Sequence, residues 1–189
     1  MLLGPSDPLP VRPRRVAVAG CSGSGKTTLG SALAARLGSA YTDLDGLFHG
    51  PDWVPRPEFE ADVRVLAAGE EWITEYGYGL ARPLVGPRAD LLVWLDLPRW
   101  RVMTQIVPRT VRRRLARVPL WNGNLEPALH TVLTDPDHIV RWAWRTHAKT
   151  AVRVGELRAR RPELPVVRLR SRRAVTEWLA GPASFPGPE

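Results

Sequence analysis

Cysteine is almost absent from this chain, Cys21 being the sole one in 189 residues. One thiol excludes an internal disulfide framework and fits a reducing cytoplasm. Long apolar runs are missing as well: none approaches the roughly 18 residues that a membrane-spanning helix needs. Met1 to Pro10 has no basic region followed by an apolar core, so neither export nor a membrane anchor is expected. Internal repeats are also lacking. Lysine is scarce, for of 27 Lys and Arg residues only Lys26 and Lys149 are Lys. The formal charge of +8 and pI near 10.8 imply anionic partners, small phosphates or nucleic acid, and charge alone does not separate them. So heavy a use of Arg beside 19 Pro is equally a compositional bias of a source genome, and the pI is discounted as a functional signal.

What is present begins with Arg15 to Thr28, an apolar strand that runs into a glycine-rich turn and then a helix. Gly20, Gly23, Gly25, Lys26 and Thr27 match the phosphate-binding loop pattern of Gly, four residues, Gly-Lys and Ser or Thr. A phosphate chain is wrapped only where successive backbone N–H groups turn inward, and glycine supplies the required φ without a Cβ in the way. The helix N-terminus behind the loop favours the same anion. Lys26 is expected to reach the β- and γ-phosphates, Thr27 to ligate Mg²⁺, and Gly20, Cys21, Ser22, Gly23, Ser24, Gly25 and Thr28 to line the nucleotide. Cys21 reads as a small loop residue, since no base sits near it in sequence.

The length and the 44 % hydrophobic content allow one well-buried core and not two ordinary domains. A single domain over 14–180 is expected, after a disordered proline-rich leader over 1–13 and before a frayed tail over 181–189. A short strand from Ala40 to Leu44 would deliver Asp43 and Asp45 to the sheet edge beside the phosphate loop, where open α/β sheets place ligands. Strand alternation would set both carboxylates on one face. Asp43 is a candidate Mg²⁺ ligand and Asp45 a candidate base for an acceptor hydroxyl. A flap over about 46–69 follows, in which Trp53 is either a stacking platform or a core anchor and His49 reads as a loop histidine. Asp96, after the apolar run Leu91 to Leu95, reads equally as a second Mg²⁺ ligand or as a cap of the next helix.

A lid is expected over about 108–150. Arg109, Arg112, Arg113 and Arg117 recur at helical spacing beyond a kink at Pro108, and Arg141, Arg145 and Lys149 recur at i, i+4 and i+8 on a second helix. Solvated basic faces are the bland reading. The sharper one has Arg109, Arg113 and Arg145 folding over the triphosphate to stabilise transition-state charge. Arg172, in the turn after the last strand, would border the nucleotide base.

Several stretches coincide with one family: Gly-Cys-Ser-Gly-Ser-Gly-Lys-Thr-Thr, Asp43 to Phe48, Pro51 to Pro55, Glu71 to Ile73, Pro87 to Asp90, Trp94 to Arg99 and Arg141 to Trp144. Over residues 14–180 the chain resembles the topology-modulation-protein-like P-loop kinases, relatives of adenylate kinase. That resemblance implies an α/β P-loop NTPase fold, with a five-stranded parallel sheet flanked by helices and a helical arginine-rich lid. It also implies ATP with Mg²⁺ and phosphoryl transfer to a small-molecule acceptor such as a nucleotide, a nucleoside or another hydroxyl compound. After the third strand the family pattern is Asp-Gly-Asn-Tyr, and here Glu75-Tyr76-Gly77-Tyr78 stands in its place. The competing class is a nucleotide-dependent regulatory protein, associated with nucleic acid through its basic helices.

Overall fold

The structure is a computed structural model, and residues 1–183 are described. Its centre is a parallel sheet of β1 (Leu2–Leu3), β2 (Arg15–Ala19), β3 (Tyr41–Thr42), β4 (Trp72–Glu75), β5 (Leu91–Leu95) and β6 (Val166–Leu169), in the order β1-β6-β5-β2-β4-β3. Helices α1 (Lys26–Leu37), α2 (Leu44–Phe48), α3 (Phe59–Ala68), α4 (Arg82–Val85), α5 (Arg99–Leu115), α6 (Ile139–Thr146), α7 (Lys149–Arg160) and α8 (Arg172–Ala180) join and cover the strands. The chain alternates strand and helix because parallel neighbours need a crossover, and the helices dictate strands that are apolar on both sides. Successive residues of β2 accordingly serve opposite cores. Ala17 and Ala19 pack with Phe59 and Val63 of α3 and Val154 and Leu157 of α7. Val16 and Val18 pack with Leu29 and Leu33 of α1 and Trp178 of α8.

The sheet has six strands rather than the expected five, because part of the expected leader is ordered. Leu2 and Leu3 pair with Val166 and Val167, and the Met1 amino group donates to the carbonyls of Pro162 at 2.6 Å and Leu164 at 3.0 Å. The prolines that suggested disorder begin only at Pro5, so Met1 to Leu3 keep the N–H groups and apolar side chains that an edge strand needs. At the other end Ala183 is buried and donates its N–H to the Trp178 carbonyl at 2.9 Å. The rest of the expected frayed tail, 184–189, lies outside the described residues.

α5 runs as one helix through Pro108. One helical expectation changes. Arg141 and Arg145 lie on α6 while Lys149 begins α7, so the three do not form one stripe.

Candidate active site

The loop from Gly20 to Gly25 is a tight turn, closed by Ser24 N–H to the Cys21 carbonyl at 3.1 Å. Gly23 and Gly25 sit at φ of 82° and 99°, the left-handed region where a side chain is strained. A Cβ on Gly23 would also meet the Ile106 Cβ at 2.7 Å, so the loop packs directly on α5. No side chain caps α1. Its first ladder bond is Leu29 N–H to the Gly25 carbonyl, which leaves the amides of Lys26, Thr27 and Thr28 for an anion.

Lys26 turns its ammonium toward Glu75, with Nζ 3.5 Å from Oε2 of a buried carboxylate. Burial opposes the charge on Lys26, yet Glu75, followed by Asp45, holds its pKa above the ordinary lysine value. Burial pushes Glu75 the other way, up to about 6, against the pull of Lys26, and Asp45 and Asp43 add to the rise. Tyr41 donates its hydroxyl to Glu75 at 3.0 Å. Carboxylate oxygens of Asp43, Asp45 and Glu75 all lie within 4.8 Å of one another. Burial, with Asp45 next to it, raises the pKa of Asp43 as well. These are hard oxygen donors beside a phosphate loop, the donor set that suits Mg²⁺.

The two aspartates converge by a different route from strand alternation. β3 ends at Thr42; Asp43 then caps α2, its Oδ1 accepting the Asp45 N–H at 2.9 Å, and Asp45 lies in the first helical turn. Aspartate is a strong N-cap former, and that local bond outcompetes strand extension. Tyr78 donates its hydroxyl to Asp45 Oδ1 at 2.5 Å and lies 3.3 Å from His49 Nε2. Burial, and then Asp45, raise the Tyr78 pKa, so this hydroxyl stays a donor.

The segments 49–53 and 121–125, which fall within the expected flap and lid, are bonded together. Trp53 donates its backbone N–H to Asn124 Oδ1 at 3.0 Å and its indole N–H to the Leu125 carbonyl at 3.1 Å. Asn124 donates to the Gly50 carbonyl at 2.8 Å, Asn122 donates to the His49 carbonyl, and Trp121 donates to Asp43 Oδ2 at 3.2 Å. Asp52 and Trp53 both have positive φ, 56° and 61°, so the lid loop braces a strained turn. Trp53 thereby joins the two segments, with His49 and Trp121 edge-on to its ring.

The candidate arginines divide. Arg109 is half-buried with its Nε unpartnered, and burial, with Arg113 close by, lowers its pKa while Glu126 and then Asp45 act to raise it. Arg113 pairs with the buried Glu126 at 3.6 Å. Arg145 is exposed, pairs with Asp137 at 3.3 Å and stacks over Trp142, and Arg172 is exposed at the start of α8. Neither bonds to the three carboxylates. Asp96 binds Arg168 at 2.6 Å and Arg170 at 3.7 Å, and it caps no helix. Glu75, Tyr41, Trp121 and Asn124 are site residues that the motifs did not single out; the only signal was the departure at Glu75 to Tyr78.

Neither a family model nor a curated protein matches the chain. Solved structures do. A gluconokinase from Sinorhizobium meliloti 1021 superposes with a TM-score of 0.51 at 21 % identity, covering 90 % of this chain and 92 % of that one. A shikimate kinase from Acinetobacter baumannii, in complex with shikimate, gives 0.50 at 17 % identity, covering 90 % and 87 %. The fold is that of the P-loop kinases. Within that kinase fold the α/β arrangement agrees with expectation, and the sixth strand is an edge addition.

Proposed function

We propose that this protein is an ATP-dependent kinase of a small-molecule acceptor, in line with its resemblance to topology-modulation-protein-like kinases. One observation carries the reading. Lys26, Asp43, Asp45 and Glu75 come together at the mouth of a phosphate-type loop, beneath a flap bonded to an arginine-bearing lid. A structural ion pair alone needs one carboxylate for one lysine, whereas three carboxylates this close repel unless a cation or a proton serves them.

In this reading the loop amides and Lys26 bind the triphosphate. Thr27, Asp43 and Glu75 would hold Mg²⁺, which would neutralise phosphate charge. Asp45 takes the proton of the acceptor hydroxyl on Oδ2, while Tyr78 fixes the carboxylate by donating to Oδ1. Arg109 faces the transferring group with a donor that has no protein partner, and Arg113, released from Glu126, adds a second positive charge. The flap and lid loop exclude water. Arg145 and Arg172 contribute from the periphery, to lid closure and to the base respectively.

The test is a screen of nucleosides, nucleotides, sugars and small alcohols for ATP consumption, run with wild type and Asp45→Asn in parallel. Asp45→Asn is expected to lower turnover on a hydroxyl acceptor roughly 10²-fold or more, the usual size of a general-base effect. Equal rates on a confirmed hydroxyl substrate remove Asp45 from the mechanism.

A second reading has its own observation. Trp100, Trp142 and Trp144 are exposed, and Arg101, Arg145 and Arg99 stack on their rings. Aromatic faces interleaved with guanidinium groups suit single-stranded nucleic acid. Steep, salt-dependent retention of an oligonucleotide, with no acceptor turnover in the screen, favours this regulatory alternative.

A further inference from the structure

Arg82 and Arg153 meet on one backbone carbonyl. Arg82, at the start of α4, donates Nη1 to the Gly77 carbonyl at 2.9 Å, and Arg153, on α7, donates Nη1 to the same oxygen at 3.5 Å. Both side chains are half-buried, and among the described residues neither forms an ion pair. The described hydrogen bonds use one N–H of each guanidinium, leaving most of ten donors unassigned. Burial, followed by the neighbouring Arg82, depresses the Arg153 pKa, and Glu156 on the same helix opposes them without reversing the shift. Two like charges in partial burial, sharing one neutral acceptor, repel each other, and an anion between them relieves that repulsion.

The place of this pair indicates which anion. Gly77 lies between Glu75 and Tyr78; a Cβ on it would stand 3.9 Å from Glu75 Oε2, and the next side chain bonds Asp45. Gly77 thus ties the guanidinium pair to the segment 75–78, whose side chains enter the carboxylate cluster, whereas in the kinase reading the nucleotide's phosphates have Lys26 and the loop amides. From this juxtaposition we infer that Arg82 and Arg153 form an anion subsite, and that the acceptor carries a carboxylate or phosphate group which they bind. The inference rests on the phosphoryl-transfer reading for the word acceptor, and on the two arginines for the anion. Planar guanidinium forks match both oxyanions in a bidentate way.

The experiment is calorimetric titration of D-gluconate, inorganic phosphate and neutral D-glucose into wild type, Arg82→Ala, Arg153→Ala and Arg153→Lys. Each titration is run with and without a non-hydrolysable ATP analogue and Mg²⁺ to occupy the loop. With the loop filled, at least one of the two anions is expected to bind wild type, roughly tenfold or more weaker in each alanine variant, with part of the affinity recovered in Arg153→Lys. Tighter gluconate marks a carboxylate acceptor and tighter phosphate a phosphorylated one. The alanine variants should melt no lower than wild type, since each removes one of two repelling charges; a clear fall marks a structural clamp. Affinities equal in wild type and both alanine variants, or no binding of either anion to wild type, overturn the subsite. Arginine-dependent anion binding without ATP turnover on any acceptor strikes the kinase reading and leaves the subsite standing.

Discussion

Glu75 holds two incompatible neighbours, the Lys26 ammonium at 3.5 Å and the carboxylates of Asp43 and Asp45 within 4.8 Å. Burial decides the balance and moves its pKa from the ordinary 4.5 to about 6. A carboxyl whose folded-state pKa is raised binds a proton more readily in the folded protein than in the unfolded chain. Its stabilising contribution is therefore complete below about pH 4.5 and is lost as the pH rises through about 6. The nucleotide-free wild type should lose about 2 kcal/mol relative to Glu75→Gln between these limits. Urea unfolding of both proteins at several pH values checks this, and a difference that stays constant or grows with pH contradicts it. The same residue marks the limit of sequence reading at this scale. Gly20 to Thr27 are contiguous, so spacing alone disclosed their chemistry, whereas Glu75 meets Lys26, 48 intervening positions away, only because β4 pairs with β2.

At the scale of elements, the turn over 50–53 and the loop over 121–125 are joined through one buried side chain. Asn124 accepts from the Trp53 amide and donates to the Gly50 carbonyl, spanning the turn in which Asp52 and Trp53 hold positive φ. Asn124→Ala leaves a donor and an acceptor unpaired and a strained turn unsupported, a cost of about 1–3 kcal/mol borne by closure. The Trp53 amide should then exchange with solvent roughly tenfold faster or more, and the KM for the acceptor should rise further than kcat falls. An unchanged Trp53 exchange rate removes Asn124 from that role. Sequence pattern marked the segment between Phe48 and Phe59 because Pro51, Pro55 and Pro57 punctuate it, and α3 because its apolar residues recur at helical spacing. It did not locate the brace, since Trp121–Gly123 form a single 3₁₀ turn, capped by Asn124, with no periodicity of their own. The Asp43 cap was misread for a related reason: Asp-Leu-Asp alternates like a strand, and only the hydrogen bond to Asp45 reveals a helix start.

The whole molecule was legible where patterns are long and opaque where they are short. Strands β2 and β5, five residues each and apolar but for Arg15, announce a sheet covered on both sides, and the loop between β2 and α1 gives its topology a direction. A two-residue strand gives no such signal. β1 adds a sixth strand at the edge remote from β3 and β4, and its contribution is separable by the alternation that all strands share. Leu3 is 8 % exposed and packs with Val167 and Leu169, while Leu2, beside it, is 43 % exposed. Leu3→Asp forfeits the burial of a leucine, about 2 kcal/mol, and adds the cost of desolvating a carboxylate. For a domain of this size the melting temperature should fall by roughly 5 °C or more. Leu2→Asp puts the same charge on the solvent side of the same strand, where surface changes remain within about 0.5 kcal/mol. Differential scanning calorimetry of the two variants separates an ordered edge strand from a loose leader: equal shifts, large or small, show that the first residues do not hold the register with β6.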